Sequence, residues 1–274
     1  MEIEKISVNK RRLAVWNAAD YAANSVVQQT WARELIAKLN LRGDEHILDV
    51  GCGDGKVTAE IARAVPRGSA TGVDASAEMV TFAKKAFPKS KFPNLEFHVM
   101  DAREIEFARE FDLVFSNAAL HWVDDHRKFL RGAASVLKSG GRLVVSCGGK
   151  GNAQDVFVAM RPEMRLKRWQ GFFRKMPEPY FFYAPAEYKK WLDEAGFETQ
   201  SIHLAPKDAT YPGAEGFATW LRTTWIPYVQ RVPEDAREEF IAAVTERYVA
   251  KHPPDADEKV HVKMVRLEID AVKI

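Results

Sequence analysis

Between His46 and Gly149 five short apolar runs alternate with stretches of helical character, and this alternation constrains the fold more than any other feature of the chain. "HILDVG" is followed by "KVTAEIARAV", "SATGVDA" by "AEMVTFAKKAF", "LEFHVMDA" by a connector and "FDLVFSN" by "DHRKFLRGAASVL"; "GRLVVSCGG" closes the series. Continuously apolar strands joined by helices bury both faces, which requires a parallel sheet covered on either side. The expected fold is α/β, doubly wound and Rossmann-like.

The flanks read differently. Ahead of the series, "SVVQQTWARELIAKLN" places apolar residues at Val27, Trp31, Leu35, Ile36 and Leu39, the spacing of an amphipathic helix. Behind it, from residue 150 to about 190, aromatic residues are interleaved with prolines and basic side chains. "PAEYKKWLDEAGF" predicts a helix stopped by Gly196, since glycine suits the left-handed position after a helix. "ETQSIHLAP" reads as a strand, "EGFATWLRTTWIPYV" and "PEDAREEFIAAVTERYVAK" as helices, and the alternating "VKMVRLEIDAVK" as a last strand.

Charge and cysteine content narrow the classes of partner. With 40 basic against 38 acidic residues, net +2, the chain carries no strong electrostatic footprint for a nucleic-acid backbone, so a small-molecule partner is expected. Cys52 and Cys147 lie in apolar runs without metal-ligand spacing, which predicts buried free thiols and neither a disulfide framework nor a zinc site. The adjacent His121, Asp124, Asp125 and His126 read as a capped helix start, and no metal is expected. The first residues lack the apolar core of a signal peptide and no membrane-length apolar run follows, so a cytoplasmic protein is expected.

In "LDVGCGDG" the glycines Gly51, Gly53 and Gly55 leave a strand and enter a helix, where missing Cβ atoms permit a tight turn and close approach of a ligand to the backbone. A dinucleotide fingerprint requires glycine at 56, where this chain has Lys56, and the G-K-[ST] of a phosphate-binding Walker loop is absent. Asp74 ends the second strand, in place to accept hydrogen bonds from two ribose hydroxyls, with Ala75 beside it. Any one of these residues would serve as an ordinary strand-end cap. Together they mark a nucleoside-bearing cofactor.

D-x-G-x-G-x-G headed by Asp49 resembles the first motif of class I S-adenosylmethionine-dependent methyltransferases. "ILDVGCGDGKVTAEIA", "FDLVFSNAALHWV" and the terminal "LEIDAVK" are similar to the group that includes trans-aconitate, malonyl-acyl-carrier-protein and juvenile hormone acid methyltransferases, strongly in residues 46–149 and weakly afterwards. The resemblance implies a seven-stranded, mostly parallel sheet with the last strand antiparallel. It implies S-adenosylmethionine as cofactor, leaving as S-adenosylhomocysteine, with its carboxylate toward the helix N-terminus. Asp101 and Ala102 of "MDA" would read the adenine edge, Met79 would lie against its face, and backbone at Asn117 would meet the methionine amino group. Several members carry a tyrosine followed seven residues later by a glutamine, an interval kept here by Tyr21 and Gln28, with Gln29 adjacent. Where the malonyl and aconitate enzymes tend to have Gln-Trp, this chain has His121-Trp122.

Members of that group methylate carboxylic acids. A carboxylate, with a reference pKa near ~4, is ionised at neutral pH and needs alignment rather than a general base. Gln28, His121 and Trp122 are the candidate catalytic donors. The alternatives are that His121 acts as general base toward a hydroxyl, amine or carbon acceptor, that His121 and Trp122 simply pack, or that the chain binds the cofactor without catalysis. Trp220, Arg222, Trp225 and Tyr228 are the candidates for the acceptor pocket, with Arg222 as carboxylate partner; packing in a satellite cluster or at a dimer surface is their other reading. The expected organisation is one domain with an insertion: 1–45 a helical cover, 46–149 the cofactor-binding core, and 150–274 a helical, aromatic-rich lid plus the strands that complete the sheet.

Overall fold

The structure, a computed structural model, describes residues 26–274, with side chains from Trp31 onward. The five apolar runs form β1 (His46–Val50), β2 (Ser69–Asp74), β3 (Leu95–Val99), β4 (Phe111–Asn117) and β5 (Leu137–Gly148). Between them stand α2 (Lys56–Ala64), α3 (Ala77–Ala86) and α4 (His126–Val136), preceded by α1 (Val26–Ala37). β3 passes to β4 without a helix. After β5 come α5 (Gln154–Arg165), the single turn α6 (Gln170–Phe173), α7 (Pro185–Glu194) and β6 (Phe197–Pro212). Then follow α8 (Gly213–Thr224), the turn α9 (Ile226–Val229), α10 (Arg237–Val249) and β7 (Lys259–Lys273).

Seven strands form one sheet in the order β3-β2-β1-β4-β5-β7-β6. β1 to β5 are parallel, and β7 runs antiparallel to both β5 and β6. Successive residues of a strand face opposite ways, and each face has its own apolar core. On β4, Val114 joins Phe129, Leu130 and Tyr188 from α4 and α7, whereas Phe115 joins Leu35, Ile61 and Val80 from α1, α2 and α3. Burial on both faces is what the unbroken apolar runs require.

A third core lies outside the sheet. β6 and β7 pair from Phe197↔Lys273 to Pro212↔Lys259, well past the end of β5, and the distal part of this ribbon carries α8 to α10 as an insertion. Phe157 of α5, Trp169, Phe217 of α8, Phe240 and Tyr248 of α10, and Val260, Val262 and Met264 of β7 pack together there. Buried Glu163 of α5 accepts hydrogen bonds from Arg247 of α10 at 2.6 and 2.9 Å, fixing the two insertions to each other.

Three local expectations change. "EGFATWLRTTWIPYV" is two helices: Trp225 leaves the helical geometry at ψ 31, because Pro227 has no N–H to continue the ladder and its ring crowds the preceding turn. The stretch after residue 150, read only as aromatic-rich, contains the full helix α5. "ETQSIHLAP" continues to Pro212, since β7 supplies a pairing edge over that length. Gly196 follows α7 at φ +81, as expected of a helix-terminating glycine, and Cys52 and Cys147 are buried free thiols. Among the described residues no helix is long and apolar enough to cross a membrane.

Candidate active site

In this strand order the sheet reverses direction of growth between β1 and β4, so the crevice beyond their carboxyl ends is the place for a ligand. The glycine loop lies on one side of it. Gly51 and Cys52 donate backbone N–H to Val73 O at 2.8 and 3.0 Å, anchoring the loop on β2. Gly51 has φ +80, and a Cβ there would stand 2.1 Å from the Cβ of Ala119 in the segment after β4. No side chain fits. Gly55, at φ +82, caps α2 and would likewise strike Ala83 and Phe97 at 2.8 Å.

Acids at the strand ends hold this loop and give it charge. Asp74 accepts from Gly53 N–H at 3.0 Å through one oxygen and from Ser76 N–H at 2.8 Å through the other. Asp49, 2% exposed, accepts from the Thr58 hydroxyl at 2.6 Å, tying β1 to α2. Burial pushes the Asp49 carboxyl up to about 7, the Thr58 bond opposes this, and the Asp74 charge adds to it. Asp74 is raised too, by burial against the pull of its two N–H donors. Two carboxyls that resist ionisation beside each other make a site for a cation. Ala75 is exposed at the end of β2 and Met79 is buried at the start of α3, held by the Ser76 cap. Asp101 is gripped by Arg103, whose Nε donates at 2.9 Å, and Arg103 also bonds Asp124 at 2.9 Å; the guanidinium bonds hold the Asp101 carboxyl below its usual range. Ala102 stands beside it, half-buried.

Across the crevice β4 ends at half-buried Asn117, and Ala118 takes the left-handed φ of +57, a costly conformation for a residue with a Cβ. Its N–H is held by Ser146 O at 2.8 Å. A short turn, Leu120–Trp122, then presents His121 and Trp122. Buried His126 fixes this turn: its Nε2 bonds Leu120 O at 2.8 Å and its Nδ1 meets the Tyr188 hydroxyl at 2.9 Å. A carbonyl can only accept, so Nε2 carries the proton and Nδ1 accepts from Tyr188. Burial pulls His126 down to about 4, and it stays neutral.

His121 is defined in the same way. Its Nδ1 accepts the Gly148 N–H at 3.3 Å, so in the neutral ring the proton resides on Nε2. Burial, with the positive charge of Arg266 and the neighbouring His126, pulls its pKa down to about 3. His121 is therefore an uncharged N–H donor. Its carbonyl accepts Phe181 N–H at 2.9 Å, and Lys150 N–H bonds Tyr183 O at 3.0 Å. Residues 180–183 are thereby laid beside the end of β5, with the Tyr180 and Phe182 rings stacked at 5.6 Å.

His121 and Trp122 open into a cavity between the end of the sheet and the aromatic segments. Trp31 of α1, Tyr180 and Phe182 form part of its wall; Tyr211, Trp220 and Trp225 form another. Trp220 and Trp225 thus line this cavity. Tyr228 stands behind the wall, its hydroxyl donating to Glu178 at 3.4 Å. Arg222 is not in the lining: Glu238 holds it by two bonds of 2.8 and 2.6 Å, because α8 turns that side toward α10. The arginine that does reach the cavity is Arg266 of β7, 4% exposed. In "VHVKMVR" it continues the inward alternation Val260, Val262, Met264, a charged residue where the pattern calls for an apolar one. That signal was present in the sequence, as was Thr58 nine residues after Asp49. Tyr21 lies outside the described residues, and of Gln28 only the backbone, within α1, is described.

A reversed-order α/β sheet whose switch point holds a left-handed glycine loop, two strand-end acids and an adjoining aromatic cavity defines a nucleoside-cofactor enzyme fold. A family described as "Methyltransferase domain" matches residues 48–145. An uncharacterised methyltransferase of Schizosaccharomyces pombe is 31% identical over 197 residues, spanning 68% of this chain and 72% of that one. A trans-aconitate 2-methyltransferase of Rhodopseudomonas palustris (strain BisB5) is 27% identical over 265 residues, 95% of this chain and all of the relative. Among solved structures, phosphoethanolamine N-methyltransferase 2 of Haemonchus contortus, in complex with S-adenosyl-L-methionine, shares the fold at TM-score 0.61 and 17% identity, over 93% of this chain and 56% of that one. The chain belongs to the class I S-adenosylmethionine-dependent methyltransferases.

Proposed function

We propose that this enzyme methylates a carboxylate oxygen of a small organic acid seated in the aromatic cavity. The observation that carries this is the state of His121. With Nδ1 occupied by the Gly148 N–H and its pKa pulled down to about 3, the ring has no basic nitrogen to offer an acceptor and donates through Nε2. A hydroxyl or ammonium acceptor needs its proton removed; a carboxylate does not. The relatives named for trans-aconitate act on an acid, which agrees with this reading.

The residues present fit S-adenosylmethionine. Asp49 and Asp74 suit a ligand bearing an ammonium and a sulfonium, and Asp74, with one bond per oxygen, keeps acceptor capacity for ribose hydroxyls. Backbone of the glycine loop would approach the methionyl end, Asn117 its amino group, and Met79, Asp101 and Ala102 the adenine; Tyr21 and Gln28 would complete the cover from outside the described side chains. When bound, the cofactor supplies a methyl carbon on a sulfonium whose departure as a neutral thioether accompanies C–O bond formation, with no proton transferred. The chain's part is to hold the acid by donors, His121 Nε2 and Trp122 among them, and to exclude water from a reaction in which opposite charges vanish. Residues 150–184 and 213–258 act as the lid.

The test is product identity together with a pH profile. Incubation with S-adenosylmethionine and a panel of acids, phenols and amines is expected to yield methyl esters, and kcat/KM for the acceptor, at S-adenosylmethionine concentrations saturating at every pH, is expected to stay level from about pH 6 to 9, since the acid ionises near ~4. His121→Asn is expected to lower kcat by less than ~10-fold, against the ~100-fold or more that loss of a general base costs. Ether or amine products, or a rate that climbs with pH and collapses in His121→Asn, would rule out the carboxyl reading.

A further inference from the structure

We infer that Asn152 is a specificity-determining residue whose side-chain amide donates a hydrogen bond to the acceptor's carboxylate, on the oxygen that does not attack the methyl group; this rests on the carboxyl-methylation reading above. Asn152 stands half-buried in the turn between β5 and α5 and lines the aromatic cavity together with His121 and Phe182. Its amide is fixed in one orientation. The backbone N–H of Val265 donates to Oδ1 at 3.0 Å, and since an N–H cannot accept, the amide nitrogen must take the other side of the group. That nitrogen lies against Gly148: a Cβ there would stand 3.1 Å from Asn152 Nδ2 and 2.6 Å from the Phe182 ring. Gly148 is also the residue whose N–H reaches His121 Nδ1. The amide of Asn152 and the rings of Phe182 and His121 therefore converge on one backbone position that has no side chain.

The turn is shaped to aim this amide. Gly149 N–H bonds Val265 O at 2.9 Å and Asn152 N–H bonds Gly149 O at 3.0 Å, while the residues on either side of Asn152 take left-handed backbone, Gly151 at φ +88 and buried Ala153 at φ +49. A left-handed alanine is a costly conformation, and Ala153 and Ala118, which both adopt it, both line the cavity. The chemistry then assigns the ligand atom. In-line transfer places one carboxylate oxygen on the axis of the breaking C–S bond, and that alignment lasts only while the second oxygen is held. His121 Nε2 and Asn152 Nδ2 are neutral donors, one a ring N–H and the other an NH₂ with two hydrogens to give, so the pair can hold the second oxygen and leave the first free to attack. The methyl ester formed carries no charge, so the same bonds weaken and favour its departure.

Asn152→Asp in the whole protein tests this, because the carboxylate it introduces keeps an oxygen for the Val265 N–H and sets another where the donor was. The probes are trans-aconitate, benzoate and octanoate, assayed with S-adenosylmethionine for methyl ester, and each is paired with its amide as a competing ligand. For the acid turned over fastest, kcat/KM is expected to fall at least about 100-fold, the effect of exchanging a donor for a like charge beside a carboxylate. S-adenosylhomocysteine affinity by calorimetry should change less than about threefold. Inhibition constants separate recognition from loosening: the unaltered protein should prefer acid to amide and Asn152→Asp should reverse that order, whereas a loosened turn would weaken both alike. An unchanged kcat/KM, an acid preference that survives in Asn152→Asp, or equal losses for acid and amide each overturns the inference. Should Asn152→Asp fail to fold, heteronuclear NMR of the unaltered protein decides: the Asn152 side-chain amide signals shift when the acid is added to the S-adenosylhomocysteine complex, or the inference falls. Ether or amine products in place of esters remove the carboxyl-methylation reading as well; ester formation undisturbed by Asn152→Asp removes only this inference.

Discussion

The strand-end crevice and the aromatic cavity share a border but are built in opposite ways. The crevice is made of consecutive strand–turn–helix units, and its contacts stay within one unit or between neighbouring ones: Asp74 holds Ser76 two residues on and Gly53 of the preceding unit, and Thr58 of α2 holds Asp49 of β1. The cavity draws one or two residues from each of many separate segments, from Trp31 to Arg266, and stands on a hydrophobic core of its own. The first arrangement is local and carries a shared cofactor. The second can be rebuilt by altering insertions while the sheet beneath keeps its order, which is how one fold serves many acceptors.

This contrast can be broken or sharpened by substitution. The largest effect is expected at Gly51. Gly51→Ala places a methyl on a left-handed backbone and into Ala119, displacing the loop and the segment after β4 at once; cofactor affinity should fall about a thousandfold, ~4 kcal/mol, by calorimetry. Trp225→Ala comes next. Packed on Phe157 at 4.8 Å and Tyr180 at 5.6 Å, the ring supports the lid core, and its loss should cost about 3 kcal/mol in denaturant unfolding and raise the acceptor KM. S-adenosylhomocysteine affinity should stay within about twofold, as expected for distant sites. An equal loss at the crevice would show that the two regions are one.

Asp49→Asn should separate stability from binding. The folded carboxyl has its pKa near 7, above the unfolded value near ~4, so the folded chain holds a proton that the unfolded chain has released. Its contribution to stability is full below about pH 4 and is lost as pH rises through 7. Asparagine removes that loss while still accepting from Thr58, so thermal scans without cofactor at pH 8 should show a Tm several degrees higher, with little change at pH 4. Calorimetry should show weaker S-adenosylmethionine binding, because a carboxylate facing a cation is gone. The smallest effect is expected at Arg222→Ala, which removes an ion pair with exposed Glu238 and nothing from the cavity: about 0.5 kcal/mol in stability, and acceptor KM unchanged in steady-state assays.

The sheet was legible because its signals are contiguous. Five apolar runs, glycines in the left-handed conformation and acids at strand ends are short-range facts, and β1 to β5 form over the stretches their patterns predict, with β7 antiparallel as the resemblance implied. The insertions around the aromatic cavity were legible only as composition. Its aromatic residues announce packing but not which ring faces the ligand, and so Trp225 lines the cavity, Tyr228 supports it from behind and Arg222 faces α10.

What the amino-acid sequence determined by itself was therefore the parallel sheet and its glycine turn, where the left-handed conformations of Gly51, Gly53 and Gly55 and the apolar runs are written in contiguous residues. Tertiary structure decided how the aromatic cavity is assembled. On β7 the buried parity passes from Val260, Val262 and Met264 to Leu267, Ile269 and Ala271, and Arg266 stands at the change; the alternation turns it inward, but only folding brings Ser146 and Asn117 to its guanidinium. Likewise the proton of His121 resides on Nε2 because β5 brings the Gly148 N–H to Nδ1, and no spacing between residues 121 and 148 encodes that contact. Such choices belong to long-range packing, since a side chain's charge and direction are settled by neighbours that only folding supplies.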